Sequence, residues 1–137
     1  GEGGLVGSVA MRKMQLTDKG KAWGGVTVAD DRLQRFVEDT MARIKWRGPC
    51  EIEVMDTGDE LYLIEINPRF PAWVYLSVGA WRNLPWATVE LALGRDVAPM
   101  DPAPPGIMFL RHSLDQICTL QDFESLATVG ELHRENC

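Results

Sequence analysis

Histidine and cysteine are scarce in this chain, which has two histidines and three cysteines among 137 residues. The cysteines, at positions 50, 118 and 137, are odd in number and lack the paired spacing of metal ligands. Together with so few histidines, this spacing argues against a zinc site. An unpaired set of this kind is typical of a reducing compartment, so we expect a cytoplasmic protein.

Long apolar runs and an excess of positive charge are also missing. No stretch approaches the length of a membrane span, and the first residues lack the layout of a signal peptide. Twenty acidic residues against fourteen basic ones give a formal charge of −6. That balance argues against a nucleic-acid-binding surface, and we expect neither nucleic acid nor membrane as a partner. With 45% hydrophobic residues, the composition is that of one ordinary globular domain.

The most informative segment is YLIEINPR, residues 62–69, in which polar and charged side chains alternate with apolar ones. Side chains along a strand point alternately to its two faces. Glu65, Asn67 and Arg69 would therefore share one face, while the isoleucines between them occupy the other. A carboxylate, an amide and a guanidinium on one face indicate a site that binds charged ligands.

A second alternating run, at 51–55, predicts the partner strand. The polar segment 56–60 between the two runs contains a glycine and predicts a hairpin turn. A one-residue slip would mix carboxylates into the apolar face, so we predict that Glu53 faces Glu65. The same register pairs Glu51 with Asn67 and Met55 with Leu63.

Facing carboxylates, roughly 5 Å apart at their Cβ atoms, repel each other unless a cation lies between them. Mg²⁺ takes oxygen ligands from one or two carboxylates and completes its shell with water and substrate phosphates. Glu53, Glu65 and Asn67 therefore form a candidate metal site, and Arg69 could clamp a phosphate or carboxylate. The alternative is a surface hairpin whose outer face is acidic.

At these residues the chain resembles the ATP-grasp superfamily, and within it the carbamoyl-phosphate synthetase large chain and the biotin-carboxylase-like enzymes. The matching pieces are the IEV around Glu53, the IEINPR block, and the later NLP and LALG. The resemblance implies that Glu53, Glu65 and Asn67 hold the magnesium (or manganese) ions that bridge ATP phosphates. It also implies that Arg69 neutralises charge on a phosphorylated carboxylate.

Further cations are candidates for the same site. Lys19 and Lys21 lie in a glycine-containing loop that could approach a phosphate, although such loops are also common solvated connectors. Arg12 and Lys13 lie on opposite faces of the preceding strand; only one can face the site, and we assign Lys13 to the candidate nucleotide-binding set. Arg111 matches by position an active-site arginine of biotin-carboxylase-like members, with a plain surface arginine as the alternative.

The predicted fold is α+β, a partial ATP-grasp domain with a mainly antiparallel sheet covered by helices. We predict strands near 5–14, 50–56, 61–67 and 106–111, a short strand at 26–28, helices at about 31–45, 72–82 and 85–93, and a helical turn at 122–126. The first helix would be capped by Asp30 or Asp31, end at Gly48 and Pro49, and pack on the hairpin. Four tryptophans, at 46, 73, 81 and 86, would pack in the core or an interface. Stacking on a substrate or adenine ring and an exposed aromatic patch are the alternatives.

By the resemblance, residues 1–98 would be the C-terminal portion of an ATP-grasp domain that starts upstream, and the proline-rich segment 99–137 would belong to the same domain. The implied function is that of a Mg·ATP-dependent ligase. It would activate a carboxylate or bicarbonate as an acyl phosphate for attack by an amine or ammonia. The isolated chain would be inactive without the missing N-terminal part. An amino-acid ligase and a non-catalytic divalent-cation-binding or interaction module are the alternatives, and a homodimer is left open.

Overall fold

The computed structural model describes residues 4–16, 22–115 and 117–131. Within these ranges it has five strands and four helices, which confirms the predicted α+β class. In chain order they are β1 (Met11–Leu16), β2 (Ala22–Thr27), α1 (Asp31–Ile44), β3 (Glu51–Asp56), β4 (Leu61–Asn67), α2 (Tyr75–Gly79), α3 (Leu84–Ala92), β5 (Met108–Leu110) and α4 (Leu120–Val129). The prediction of one sheet was wrong, because the described strands form two antiparallel sheets, β1-β2-β5 and β3-β4.

In the three-stranded sheet, β2 is central and pairs with β1 and β5. Glycine allows the strands to approach here, since a Cβ built at Gly25 would overlap the sulfur of Met11 and lie 3.0 Å from Cε1 of Phe109. The first strand, predicted at 5–14, begins only at Met11, because the preceding segment makes isolated bonds to other parts of the chain. One of them joins the N–H of Met100 to the carbonyl of Val6. The strand predicted at 26–28 corresponds to β2, which is longer than predicted because it starts at Ala22.

The hairpin of β3 and β4 has the predicted register over its first half. Glu51 pairs with Asn67 and Glu53 with Glu65. The predicted pairing of Met55 with Leu63 was wrong, because the register shifts after Glu53 and Met55 faces Tyr62 instead. The shift leaves one extra residue on β4, a β-bulge that locally disrupts the ladder.

Helix α1 begins where predicted, because Oδ1 of Asp30 accepts the N–H groups of Arg32 and Leu33 at 2.8 and 3.3 Å. Its predicted end near residue 45 is confirmed, because the helix ends at Ile44. The residue that stops it is Lys45, in a left-handed conformation with φ 51°, rather than Gly48 and Pro49. Its start is held against the hairpin by Arg32, which donates to the Gly58 carbonyl at 2.8 Å. No residue of α1 is buried, so the helix covers the hairpin only in part.

The other helices differ from prediction mainly in length. Helix α2 is much shorter than the predicted 72–82, because the turn at 72–74 precedes it and Trp81, with φ 58°, follows it. Helix α3 is close to prediction and is capped by Asn83, whose Oδ1 accepts the N–H of Trp86 at 3.0 Å. Helix α4 is longer than the predicted turn, because Thr119 and Asp122 form a capping box at its start.

The proline-rich segment is attached to the central strand by Thr27. The side chain of Thr27 is 2% exposed, and its Oγ1 donates to the carbonyl of Pro104 at 2.7 Å. The same oxygen accepts the N–H of Ile107 at 2.9 Å. The core around it is small. Trp81 and Trp86 lie outside it, with exposures of 70% and 58%, so of the predicted positions an interface or an exposed patch stays a prediction for these two.

Candidate functional site

The polar face of the hairpin carries the residues that the sequence singled out. Two adjacent cross-strand pairs, Glu53 with Glu65 and Glu51 with Asn67, lie on the regular side of the bulge. Residues two apart on a strand share a face, so these four side chains form one patch. We call it the carboxylate patch. It places three carboxylates and one amide on a single surface.

Lys13 joins the other sheet to this patch. Its Nζ donates to Oε2 of Glu53 at 2.8 Å, and the two side chains are 30% and 28% exposed. Of the neighbouring cations Arg12 and Lys13, it is therefore Lys13 whose side chain reaches a predicted site residue. The ammonium thus pairs with Glu53, one of the two facing carboxylates.

Glu65 and Asn67 also contact each other directly. Nδ2 of Asn67 donates to Oε1 of Glu65 at 2.7 Å. The amide therefore holds one oxygen of the carboxylate through its NH₂ group. Both side chains keep oxygen atoms that could meet a cation.

Arg69 is placed by a residue to which the sequence assigned no role. Its Nη1 donates to Oε2 of Glu51 at 3.2 Å, and the indole Nε1 of Trp73 donates to Oε1 of the same carboxylate at 2.9 Å. The Glu51 side chain is only 10% exposed, whereas that of Arg69 is 59% exposed. A signal was present in the sequence, because Glu51 lies two residues before Glu53 and hence on its face.

Arg111 follows β5 directly, and its backbone N–H extends the pairing by donating to the Trp23 carbonyl at 2.9 Å. Its Nη2 donates to the carbonyl of Ala72 at 3.1 Å. Ala72 belongs to the segment after β4, which also contains Arg69. The two predicted arginines are thus brought to the same segment, while Lys19 and Lys21 lie outside the described residues.

The donor set of the patch fits Mg²⁺ or Mn²⁺ better than a metal that needs an all-protein cage. Within the described ranges, no group of three or more His, Cys, Asp or Glu side chains converges as metal ligands. Two carboxylates and an amide suffice for an ion that keeps water and substrate oxygens in its shell. Such an ion would compete with Lys13 for Glu53.

A second concave region lies at the other end of the hairpin, between α1 and the turn. It is an open groove of about 650 Å³ that includes Arg35, Phe36 and Tyr62. A hydrogen bond from the Tyr62 hydroxyl to Glu60 raises the pKa of that tyrosine. Arg32, which also lines the groove, pairs with Asp56 at 3.1 Å. The lining carries charges of both signs, unlike the carboxylate patch, whose own side chains are acidic or neutral.

Comparison with known proteins adds no assignment to this geometry. No protein-family model matches the sequence, and no curated protein matches it. None of the helices in the described part of the chain has both the length and the apolar content that crossing a bilayer requires. Function must therefore be argued from the carboxylate patch itself.

Proposed function

We propose that this chain is the C-terminal part of an ATP-grasp ligase that uses Mg·ATP to activate a carboxylate or bicarbonate. The observation that carries the proposal is the pairing of Glu53 with Glu65, with Asn67 bonded to Glu65 at 2.7 Å. An acidic strand face without function would gain nothing from facing carboxylates, which destabilise a sheet. The resemblance of the IEINPR block to the superfamily supports the same proposal.

In this proposal, Glu53, Glu65 and Asn67 hold the magnesium ion. The ion, when bound, screens the negative charge of the ATP phosphates. The protein contributes the oxygen ligands, which the hairpin holds on neighbouring strands at a fixed register. Lys13, whose Nζ donates to Oε2 of Glu53 at 2.8 Å, would supply a point charge for a phosphate oxygen at the same patch.

The reaction has two steps. An oxygen of the substrate carboxylate attacks the γ-phosphorus of ATP, and the bond to the departing ADP breaks. An amine or ammonia then attacks the acyl carbon, and inorganic phosphate leaves. Arg69 and Arg111 neutralise charge on the transferred phosphoryl group and the carboxylate, since catalysis of such transfers is mostly positioning and electrostatic stabilisation.

One observation favours a second candidate, a cation-binding module without catalysis. Arg69 is engaged by Glu51 at 3.2 Å, and a guanidinium held in an ion pair can serve the fold alone. A ligase that uses an amino acid in place of ammonia is a variant of the ligase proposal. Assays with ammonia and with amino acids as the nucleophile distinguish these two ligases.

The test uses the full-length protein that carries this segment. We expect ADP formation that requires Mg²⁺ and a carboxylate such as bicarbonate. Arg69→Ala should lower kcat far more than it raises KM for ATP, because the charge that Arg69 meets is fullest in the transition state. Arg95→Ala is the matched control, since Arg95 is also 59% exposed and paired with one glutamate.

Arg95→Ala should leave both constants unchanged. An Arg69→Ala enzyme with the wild-type rate would assign Arg69 to the fold and favour the module without catalysis. Equal losses in kcat and in ATP affinity would make Arg69 a ground-state ATP contact. Absence of any carboxylate-dependent ADP formation would contradict the ligase proposal as a whole.

A further inference from the structure

Glu51 lies at the centre of a short chain of side-chain bonds. The indole N–H of Trp73 donates to Oε1, and Nη1 of Arg69 donates to Oε2. Glu51 is the first residue of β3, whereas Arg69 and Trp73 both lie in the segment after β4. The carboxylate therefore connects that segment to β3 at two residues. With 10% exposure the carboxylate is nearly buried, and both of its oxygens have a partner.

The guanidinium held by this carboxylate is mostly open to solvent. Within the described residues, its side-chain bonds leave from Nη1, to Glu51 and to the Phe70 carbonyl at 3.4 Å. Arginine carries five donors in a planar fork, so the edge formed by Nε and Nη2 remains for an oxyanion. A long, exposed side chain would otherwise sample many rotamers and lose entropy on binding a ligand.

We propose that Glu51 is the positioning residue of the site: it holds Arg69 beside the carboxylate patch so that the guanidinium meets a phosphate or carboxylate oxygen already oriented. This inference rests on the proposed function. Trp73 supports the arrangement by donating its indole N–H to the other oxygen of Glu51. Glu51 itself does not touch the ligand.

The first test needs no ligand. NMR relaxation of the Arg69 Nε–H group in this chain should report a restricted side chain in the wild type and a mobile one in Glu51→Gln. The glutamine retains an oxygen that can accept from Trp73 but loses the charge that holds Arg69. Trp73→Phe, which removes only the indole donor, should give an intermediate result. Glu90→Gln, which breaks the 2.7 Å pair with Arg95 on α3, is the control and should leave Arg69 unchanged.

The second test titrates Mg²⁺-pyrophosphate into the same variants. We expect Glu51→Gln to weaken binding by about two- to tenfold, the range for ordering one long side chain at the moment of binding. Equal Arg69 mobility in the wild type and Glu51→Gln, or unchanged or tighter pyrophosphate binding in Glu51→Gln, would overturn the positioning role. A different result would contradict the proposed function and not the positioning role. In that case pyrophosphate binding would be absent, or would be unaffected by Glu65→Gln, while Arg69 would still be restricted in the wild type and mobile in Glu51→Gln.

Discussion

The two facing glutamates should respond unequally to removal of charge. Glu65 and Glu53 repel each other, but among the described residues only Glu53 has a cationic partner, Lys13 at 2.8 Å. At about 5 Å and an effective dielectric near 20, the repulsion is roughly 3 kcal/mol, and exposed, flexible side chains retain ~1 kcal/mol of it. A partly exposed ion pair such as Lys13–Glu53 contributes about 0 to 1 kcal/mol.

Glu65→Gln therefore removes the repulsion and keeps the ion pair, and should stabilise the metal-free chain by up to about 1 kcal/mol. Glu53→Gln removes both terms, so its free energy of unfolding should stay close to the wild-type value. Lys13→Met leaves the repulsion uncompensated, and in that background the gain from Glu65→Gln should increase, because the three charges are coupled.

Urea unfolding at neutral pH and low ionic strength measures these differences, and added salt should shrink them. The reasoning would be refuted if Glu65→Gln destabilised the chain, or if the effects of Glu65→Gln and Lys13→Met were simply additive. Equal gains from Glu53→Gln and Glu65→Gln would show that the Lys13 contact contributes nothing to stability.

Three further predictions concern the scaffold. Thr27→Val should cost about 1–3 kcal/mol, because it strands two backbone groups of the proline-rich segment, whereas Thr128→Val on exposed α4 should cost less in urea unfolding. Gly25→Ala should lower Tm, because its Cβ would overlap a methionine sulfur, while the matched Gly79→Ala meets no atom within 4 Å and should not. The N–H of Arg32 is the main group that lowers the pKa of Asp30 below its usual 3.8. The ionised Asp30 carboxylate therefore stabilises the fold fully above pH 3.8, and this contribution is lost as the pH falls through the lower pKa of the folded state. In Asp30→Asn, the unfolding midpoint should consequently decrease less steeply at acid pH than it does in the wild type.

Sequence reasoning succeeded where one local rule decided the outcome. Strict alternation of side chains placed Glu53 opposite Glu65, because any slip would have moved charges to the apolar face. The same rule failed beyond Glu53, since alternation through the bulge gives no sign of an extra residue. Cap chemistry likewise predicted that Asp30 or Asp31 starts α1, and the cap is Asp30, whereas its left-handed end at Lys45 has no equivalent signal.

The contacts between separate segments could not be read from local patterns. Arg12 and Lys13 are equivalent by sequence, and only the meeting of β1 with β3 selects Lys13. The bond from Arg69 to Glu51 likewise depends on the path of the chain after β4. The exposure of Trp81 follows from the early end of α2, which composition alone does not indicate.

The central claim is that Glu53, Glu65 and Asn67 share one divalent cation. Calorimetric titration of Mn²⁺ into this chain tests it most directly, with Asp59→Asn as a control that removes one carboxylate from the same hairpin at its turn. We predict that Glu65→Gln weakens Mn²⁺ binding by about tenfold or more, the loss of a charged ligand, while Asp59→Asn binds as the wild type does. Wild-type affinity in Glu65→Gln, or an equal loss in Asp59→Asn, would contradict the claim.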